Sequence, residues 1–290
     1  MKKELNRSMK VKFYGVRGSV PSPCASKVGF GGNTSCVEIT GFDETKIILD
    51  SGTGIIKLGE ELIEESTDDI NILLTHNHWD HIQGFPFFKP IYQSGRKINI
   101  FPGQVDSSDK DAILTQMSGS NFPVKHDQLP ASISLDKEAT GSKRFAIGNF
   151  DVQTQALNHP DGGTAYLISQ AGKKVAYVTD NELFPPGKIN TTIKEWETFI
   201  DGADLLIHDG QFVDTELPEK LGWGHSTTTQ VLKLAKSANV KAVALISHDP
   251  FRTDEQLEQI EKELKEDSRG FLQVCCAKEG QLIDLSAIEF

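Results

Sequence analysis

A short stretch of the chain concentrates side chains that can bind metal ions: Thr75-His76-Asn77-His78-Trp79-Asp80-His81. His76 and His78 are two residues apart, so on an extended backbone their side chains point to the same side. Asp80 continues this register, and His81 departs from it. Imidazole favours zinc, iron and similar ions, while a carboxylate can bridge to a second site or complete one. Neighbouring ligands that diverge in direction suit two metal ions better than one.

The residues just before this stretch predict what positions it. Ile70-Asn71-Ile72-Leu73-Leu74 is short, apolar and bounded, which is typical of a buried strand. The ligands are therefore expected on a loop at the C-terminal end of a strand, where a rigid scaffold can hold them. The alternative is a polar surface turn that happens to be rich in histidine. The spacing His-x-His-x-Asp-His is far more specific than a lone pair of histidines.

Further predicted strands also end in residues that can bind metals. The predicted strands are 152–157 before His159, 174–179 before Asp180, 205–207 before His208 and Asp209, and 242–247 before His248. One such strand end would mean nothing. Several of them at one sheet edge imply a shared site.

Between these strands, apolar residues recur at helical spacing. The sets are Ile193, Trp196, Phe199 and Ile200, then Val231, Leu234 and Ala238, then Leu257, Ile260 and Leu264. Thr253 and Gln256 are spaced as a capping box for the last helix. The pattern predicts two β-sheets packed together with helices outside.

Composition narrows the class of protein. The chain has 290 residues and 38% hydrophobic content, enough for a sizeable core. No apolar run reaches membrane-spanning length, and Met1 to Ser8 lacks the apolar segment of a secretory signal. The four cysteines are too few and too awkwardly placed for a disulfide framework, so a reducing cytoplasm is expected. The formal net charge is −11 without a Lys/Arg block, which disfavours extended nucleic acid and leaves a small anionic substrate.

The residues alone leave the roles of two regions undecided. Asp50 ends the predicted strand 46–50, and it either contacts the metal site through a ligand or caps the helix that follows. From residue 95 to residue 149 the pattern is irregular, with a strand expected at 97–101 and a helix near 109–117. Within it, residues 117–126 are a candidate lid over the site. His126 is interpreted as a solvated loop histidine.

Taken together, the His-x-His-x-Asp-His motif and the strand-end residues resemble the metallo-β-lactamase superfamily, from about residue 11 to about residue 251. The resemblance implies an α/β (α+β) fold, a four-layer αββα sandwich of two mixed β-sheets flanked by helices. It implies a single domain over residues 1–290. Whether residues around 95–149 form a lid insertion is not decided by the resemblance.

The resemblance also implies the ligands of two divalent metal ions. His76, His78 and His159 would hold one ion. Asp80, His81 and His248 would hold the other, and Asp180 would bridge them together with a water or hydroxide. Asp80 is counted among the catalytic residues as well. Zinc is the expected metal, with Mn²⁺ and Fe²⁺ open. Two cations lower the pKa of a bridging water, so the chemistry expected is hydrolysis.

A second motif, Gly222-Trp223-Gly224-His225-Ser226-Thr227, resembles the tRNA 3′-processing nucleases and related phosphodiesterases. That resemblance makes His225 the general acid and Asp209 the residue that orients it. The alternative is that Ser226 only caps a helix. The nucleases carry Glu where this chain has Asp209.

Departures from the relatives narrow the function. The nucleases insert a long, basic, Gly-rich arm where this chain has only about twenty residues between His159 and Asp180. Flavodiiron oxygen reductases carry Glu at the position of Asn77, and zinc β-lactamases generally carry Cys near Asp180. The Arg17-Gly18-Ser19 and Gly31-Gly32-Asn33-Thr34-Ser35 loops resemble phosphonate-pathway cyclic phosphodiesterases and small cyclic-nucleotide phosphodiesterases.

The expected function is therefore that of a binuclear-metal-dependent phosphodiesterase, which acts on a small substrate such as a cyclic nucleotide or cyclic phosphate through a metal-bridging hydroxide. The alternatives are a metal-dependent lactonase or thioesterase, an RNA-processing nuclease, and a nucleotide sensor without catalysis. A homodimer is left open, since relatives are often dimers.

Overall fold

The strands form two sheets of seven strands each. The computed structural model describes residues 8–64, 69–104, 111–119, 121–270 and 272–288. The first sheet holds β1 Lys10–Gly15, β2 Cys36–Thr40, β3 Lys46–Leu49, β4 Ile70–Leu73, β5 Lys97–Phe101, β6 Ser132–Leu135 and β14 Leu282–Asp284. The second sheet holds β7 Arg144–Ile147, β8 Phe150–Ala156, β9 Thr164–Gln170, β10 Lys173–Val178, β11 Leu205–Asp209, β12 Ala242–Ile246 and β13 Gln273–Cys276.

Both sheets are mixed. In the first, with order β14-β1-β2-β3-β4-β5-β6, pairing is antiparallel as far as β3 and parallel from β3 to β6. In the second, with order β13-β12-β11-β10-β9-β8-β7, pairing is parallel as far as β10 and antiparallel from there to β7. The hairpin of β9 and β10 fills the interval between His159 and Asp180.

Apolar side chains from both sheets meet in a shared core between them. Phe13 and Leu49 of the first sheet belong to the same buried cluster as Tyr166, Tyr177 and Ile207 of the second. Removing these side chains from water is the main favourable contribution to folding. The cluster holds the two sheets face to face.

Helices cover the outer face of each sheet. The α-helices of the described residues are α1 Ile55–Leu62, α2 Trp79–Ile82, α3 Ala112–Thr115, α4 Lys137–Gly141, α5 Ile193–Phe199, α6 Leu217–Lys220, α7 Thr228–Ser237 and α8 Asp254–Asp267. The buried face of α1 packs on the first sheet, and α5, α7 and α8 pack on the second. The expected four-layer αββα sandwich is confirmed.

The topology brings the chemically important strand ends to one edge. β8 and β10 are both antiparallel to β9, so they run in the same direction. β10, β11 and β12 are mutually parallel. The C-terminal ends of these four strands therefore lie along one edge of the second sheet, as the sequence predicts.

The region from residue 95 to residue 149 is more regular than its sequence indicates. β5 is the strand expected at 97–101, while β6, which extends the first sheet, and β7, which forms an edge of the second, have no predicted counterpart. The helix expected near 109–117 is observed as α3, although residues 109 and 110 lie outside the described residues. Ser120 of the candidate lid and residues 1–7 at the N-terminus also lie outside them. The single domain and the lid stay predictions. Among the described residues, no helix is long and apolar enough to cross a bilayer.

The helix α8 carries the expected capping box. The Thr253 Oγ1 accepts a hydrogen bond from the Gln256 N–H at 3.4 Å, and the Gln256 Oε1 accepts one from the Thr253 N–H at 2.9 Å. We expect Thr253→Ala to lower the free energy of unfolding by about 1 kcal/mol, because an orphan N–H of the first turn loses its acceptor. Urea denaturation measures this. The control is Gln259→Ala on the exposed face of the same helix, and an equal effect of both variants would contradict the capping role.

Candidate metal centre

Residues 75–81, called the ligand loop here, follow directly from the end of β4. His76 and His78 lie on irregular backbone before α2, with His78 at the N-cap position. Asp80 and His81 lie within α2 itself. The change from irregular backbone to helix turns the later side chains in a new direction. This is the divergence of ligands that the sequence predicts.

Three imidazoles come together beside this loop. The ligand-type atoms of His76, His78 and His159 lie within 4.8 Å of one another. The His159 Nε2 is 3.0 Å from the His78 Nδ1. His76 is fully buried, and its Nε2 has no hydrogen-bond partner. A buried nitrogen without a partner is costly unless another group, such as a metal ion, accepts its lone pair.

The orientation of His159 is fixed by a glycine. The His159 Nδ1 lies 2.8 Å from the Gly224 carbonyl oxygen, which can only accept, so Nδ1 carries the proton and Nε2 presents its lone pair to the centre. A Cβ on Gly224 would lie 2.2 Å from that Nδ1, and the φ of Gly224 is +87°. Only glycine allows this close approach.

A second group contains two imidazoles and one carboxylate, from His76, His81 and Asp180, and the Asp80 carboxylate lies beside it. The His81 Nε2 lies 3.1 Å from the Asp180 Oδ2 and 3.4 Å from the Asp80 Oδ2. Asp80 is buried, and its Oδ2 accepts a hydrogen bond from the Ser19 N–H at 2.7 Å. His76 also belongs to this group, since its Nε2 is 3.8 Å from the Asp180 Oδ2.

Asp50 lies behind this second group. Its Oδ2 is 2.9 Å from the His81 Nδ1, and it accepts a hydrogen bond from the Tyr177 hydroxyl at 3.0 Å. Its Oδ1 accepts a hydrogen bond from the Thr75 N–H at 2.8 Å. The helix α1 has no side-chain cap. Of the two options for Asp50, the structure therefore supports contact with the metal site, where a carboxylate fixes the tautomer of a ligating histidine.

Burial and charge set the protonation of the cluster. Burial lowers the pKa of His76 well below its usual value, which keeps it neutral and able to donate a lone pair. Burial alone would raise the pKa of Asp180, but the nearby His81 and other imidazoles hold it well below its usual value. The pKa of His81 is raised despite burial because it faces Asp80, Asp180 and Asp50. A cation between His81 and the carboxylates would replace this proton.

His225 adjoins both groups. Its ligand-type atom lies within 4.8 Å of those of His159 and Asp180. The His225 Nδ1 is 3.4 Å from the Asp209 Oδ2, and Asp209 is fully buried. Burial opposes a positive charge on His225, but the carboxylates of Asp180 and Asp209 outweigh it and raise its pKa. The structure thus brings the two residues of the expected acid pair together, in contact with the metal cluster.

Residues 222–227, called the acid loop here, are held by carboxylates. The Glu182 side chain accepts hydrogen bonds from the Gly222 N–H at 2.8 Å and the Gly224 N–H at 3.0 Å. Asp209 accepts one from the Ser226 N–H at 2.9 Å. The alternative interpretation of Ser226 as a helix cap is wrong, because the N-cap residue of α7 is Thr227, whose Oγ1 accepts from Gln230.

The structure corrects the expectation for His248. Its Nε2 donates to the Ala277 carbonyl at 2.9 Å, and its ring packs edge-on against Phe30 with 5.8 Å between the centroids. Burial lowers the pKa of His248 to about 4, so the ring is neutral. Among the described residues, the ligand groups do not include it. Ser247 faces the centre instead, with its Oγ 3.1 Å from the Asp180 Oδ1.

Sequence reasoning missed Ser247 and Glu182. Strand register is a signal that could have found Ser247. Val178, His208 and Leu245 pair in one row across three strands, and Asp180 and Ser247 each follow that row by two residues, just past the ends of β10 and β12. No comparable signal identifies Glu182, because its partners are backbone groups of a distant loop.

The residues present fit divalent metal ions. Imidazole nitrogens and carboxylate oxygens converge on one cluster, in which His76, His81 and Asp180 are buried, and the His76 Nε2 has no hydrogen-bond partner. Three imidazoles form a set that suits zinc. His76, His78 and His159 could hold one ion, and Asp80, His81 and Asp180 could hold a second.

Comparison with known proteins gives the family. Residues 45–248 match the family described as "Beta-lactamase superfamily domain". This chain belongs to that superfamily. The expected class, a metal-dependent hydrolase with the metallo-β-lactamase fold, is thereby confirmed.

Relatives at low identity cover nearly the whole chain. The protein is 24% identical to the ribonuclease Z of Thermoplasma acidophilum, over 89% of this chain and 93% of that relative. The ribonuclease Z of Methanopyrus kandleri is 23% identical, over 88% of this chain and 94% of the relative.

Solved structures of similar fold also cover most of the chain. The metallo-beta-lactamase fold protein YhfI from Bacillus subtilis has a TM-score of 0.68 at 18% identity, covering 96% of this chain and 99% of that chain. A diphosphatase from the PhnP family has a TM-score of 0.65 at 15% identity, over 95% and 97%. The short form of human tRNase Z has a TM-score of 0.63 at 21% identity, over 95% and 99%. At these identities the likeness shows the fold alone.

The contact between Asp50 and His81 gives a test of the centre. We expect Asp50→Asn to weaken metal binding by about 10- to 100-fold, because an amide cannot accept from both Thr75 and His81 as the two carboxylate oxygens do. Retained metal is measured after dialysis against buffers of fixed free Zn²⁺. Tyr177→Phe, which keeps the contact of Asp50 with His81, is the matched control. Equal losses in both variants would mean that Asp50 acts on the core and not on the ligand.

Proposed function

We propose that this hydrolase is a binuclear-metal-dependent phosphodiesterase that acts on a small substrate, such as a cyclic nucleotide or a cyclic phosphate. The observation that carries the proposal is the position of the His225 imidazole. Its Nδ1 lies 3.4 Å from the Asp209 Oδ2, and the imidazole is within 4.8 Å of the ligand-type atoms of His159 and Asp180. An alkoxide leaving from phosphorus is strongly basic, so it departs faster when a positioned acid protonates it. His225 is the side chain that would deliver this proton.

The metal ligands follow from the same geometry. His76, His78 and His159 would hold one ion, which the three imidazoles favour as zinc. Asp80, His81 and Asp180 would hold the second, with Asp180 shared between the two. Bound divalent cations supply electrostatic stabilisation of the transition state and lower the pKa of a bound water. Asp50 keeps His81 in the tautomer whose Nε2 is free for the metal, and Gly224 does the same for His159.

Exposed aromatic rings adjacent to the ligands in sequence support a nucleotide-type substrate. Trp79 is 72% exposed, although it lies between His78 and Asp80. Trp223 is 58% exposed and precedes His225 by two residues. Large rings left in water beside a polar centre offer flat surfaces on which a base can stack.

A cation lies beside one of these rings. The Lys220 Nζ lies 4.1 Å from the centre of the Trp223 ring and 5.6 Å from that of Phe212. Phe212 in turn packs edge-on against His225, with 5.6 Å between the ring centres. Lys220 therefore provides positive charge near the acid loop of a protein whose net charge is −11. This local charge supports a small anionic substrate that the overall charge would otherwise repel.

A second candidate function is tRNA 3′ processing. The observation that favours it is the set of relatives named ribonuclease Z, which cover nearly the whole chain. Against it stand the net charge of −11 and the short β9–β10 hairpin between His159 and Asp180.

A homodimer stays a prediction, to be measured by analytical ultracentrifugation.

The first experiment compares reaction classes. Protein stripped of metal and reloaded with Zn²⁺ or Mn²⁺ is assayed with bis(p-nitrophenyl) phosphate, cyclic nucleotides, a lactone, a thioester and a tRNA precursor with a 3′ trailer. We expect metal-restored hydrolysis of the diester and of at least one cyclic nucleotide. Turnover of the lactone or thioester alone would favour carbon-centred chemistry. Cleavage of the precursor without cyclic-nucleotide turnover would favour the nuclease.

The acid role of His225 predicts a dependence on the leaving group. We expect His225→Ala to lower kcat by about 10²- to 10⁴-fold for a cyclic nucleotide, whose leaving ribose oxygen needs a proton. The loss should be much smaller for bis(p-nitrophenyl) phosphate, because p-nitrophenolate leaves without one. His126→Ala, at an exposed histidine, is the control. Equal losses on both substrates together with lost metal would make His225 a ligand instead.

The aromatic residues predict an effect on binding. We expect Trp223→Ala to raise the KM for a cyclic nucleotide by about tenfold, because stacking on a base contributes about 1–3 kcal/mol. The KM for a cyclic phosphate without a base should stay unchanged. Leu282→Ala, at an exposed apolar residue of β14, is the control. A KM that rises equally for both substrates would remove stacking as the cause.

A further inference from the structure

The residue that β12 presents to the metal cluster is a serine. The Ser247 Oγ lies 3.1 Å from the Asp180 Oδ1, and because a carboxylate can only accept, the hydroxyl donates. Asp180 and Ser247 each lie two residues beyond a row that pairs Val178, His208 and Leu245. The Ser247 hydroxyl therefore lies at the end of β12, in contact with Asp180, the carboxylate that both metal positions would share.

His248 cannot exchange places with Ser247. The His248 N–H donates to the Val16 carbonyl at 2.9 Å, and the His248 carbonyl accepts from the Gly18 N–H at 3.0 Å. Arg17, which is fully buried, donates to the Asp249 and Arg252 carbonyls at 3.2 and 2.8 Å. A shift of one residue would break this pairing and turn every following side chain to the opposite face.

The two metal positions consequently offer different donors. The first offers three imidazoles, His76, His78 and His159. The second offers one imidazole, His81, with the carboxylates of Asp80 and Asp180. A neutral hydroxyl adds far less to zinc binding than an imidazole, and a mainly oxygen donor set is relatively more suited to Mn²⁺.

We propose that the centre is unequal: the three-histidine position retains metal tightly, while the second, completed by Ser247 in place of an imidazole, loads only at a much higher concentration of free metal. The inference rests on the proposed binuclear centre and does not depend on the substrate. Second-sphere partners alone change metal affinity by about 10- to 100-fold, so the lack of a directly bound imidazole should separate the two affinities by about 100-fold or more.

Three variants test the assignment. Ser247→His would supply the absent imidazole. The φ of Ser247 is +55°, in the left-handed region, where histidine is among the better tolerated residues. His248→Gln keeps a side-chain N–H that can donate to the Ala277 carbonyl. His78→Ala removes a ligand of the first position and identifies which binding step belongs to it.

Metal-free protein is titrated with Zn²⁺ and, separately, Mn²⁺ by calorimetry, and retained zinc is counted by mass spectrometry at fixed free Zn²⁺. We expect two zinc steps about 100-fold apart in the wild type and in His248→Gln. In Ser247→His the weaker step should tighten at least tenfold, and in His78→Ala the tighter step should be lost. The Co²⁺ absorption spectrum reports the coordination of each step independently of activity.

Two results would overturn the inference. One is two indistinguishable zinc equivalents in the wild type, and the other is loss of the second equivalent in His248→Gln. Circular dichroism checks the fold of each variant, and if Ser247→His fails to fold, the wild type and His248→Gln still decide. Absence of diesterase activity with two unequal steps would refute the proposed function alone. Diester turnover with two equal steps would refute this inference alone.

Discussion

One buried carboxylate connects the two sheets to the metal centre. Asp50 follows the end of β3 with a φ of +59° and is fully buried. It accepts hydrogen bonds from Thr75 in the ligand loop and from Tyr177 in the second sheet. Its Oδ2 also lies 2.9 Å from the His81 Nδ1. An ionised carboxylate without partners would be very costly at this depth. The packing of the sheets, the position of the loop and the tautomer of His81 therefore depend on the same group.

Carboxylates organise the opposite side of the centre in the same way. Asp209 accepts backbone hydrogen bonds from Asn181, next to Asp180, and from Ser226 in the acid loop. Glu182 accepts two more from glycines of that loop. Backbone N–H groups that would otherwise be unpaired thus fix the path of the chain around His225. The ligands are held by groups that themselves have few alternatives, which is how a preorganised site is built.

The sequence predicts most of the architecture because strand ends repeat one chemical pattern. The residues after β8, β10 and β11 are predictable as a set at one edge of the second sheet, and the ligand loop after β4 of the first sheet is predictable from its own motif. The sequence predicts that the strand ends at Ser247 and that His248 is the ligand, whereas β12 ends one residue earlier, at Ile246. A difference of one residue moves a side chain to the other face, so Ser247 takes the place expected for His248. The role of Asp50 could not be decided because its partner Tyr177 lies 127 residues away. The edge strands β6 and β7 alternate polar or exposed residues with apolar ones over only four residues each, which is the shortest run from which a strand can be predicted.

The two halves of the centre are held by different parts of the fold. On one side, Glu182 fixes Gly224, and the Gly224 carbonyl fixes His159, so the three-histidine position and the acid loop form one connected unit. On the other side, Asp80 is tied to the N-terminal loop through the Ser19 N–H, and Asp180 is tied to β12 through Ser247. His225 depends on the first connected unit and also on Asp209, which accepts from the Ser226 N–H and from the Asn181 N–H next to Asp180, so the acid is coupled to both halves of the centre.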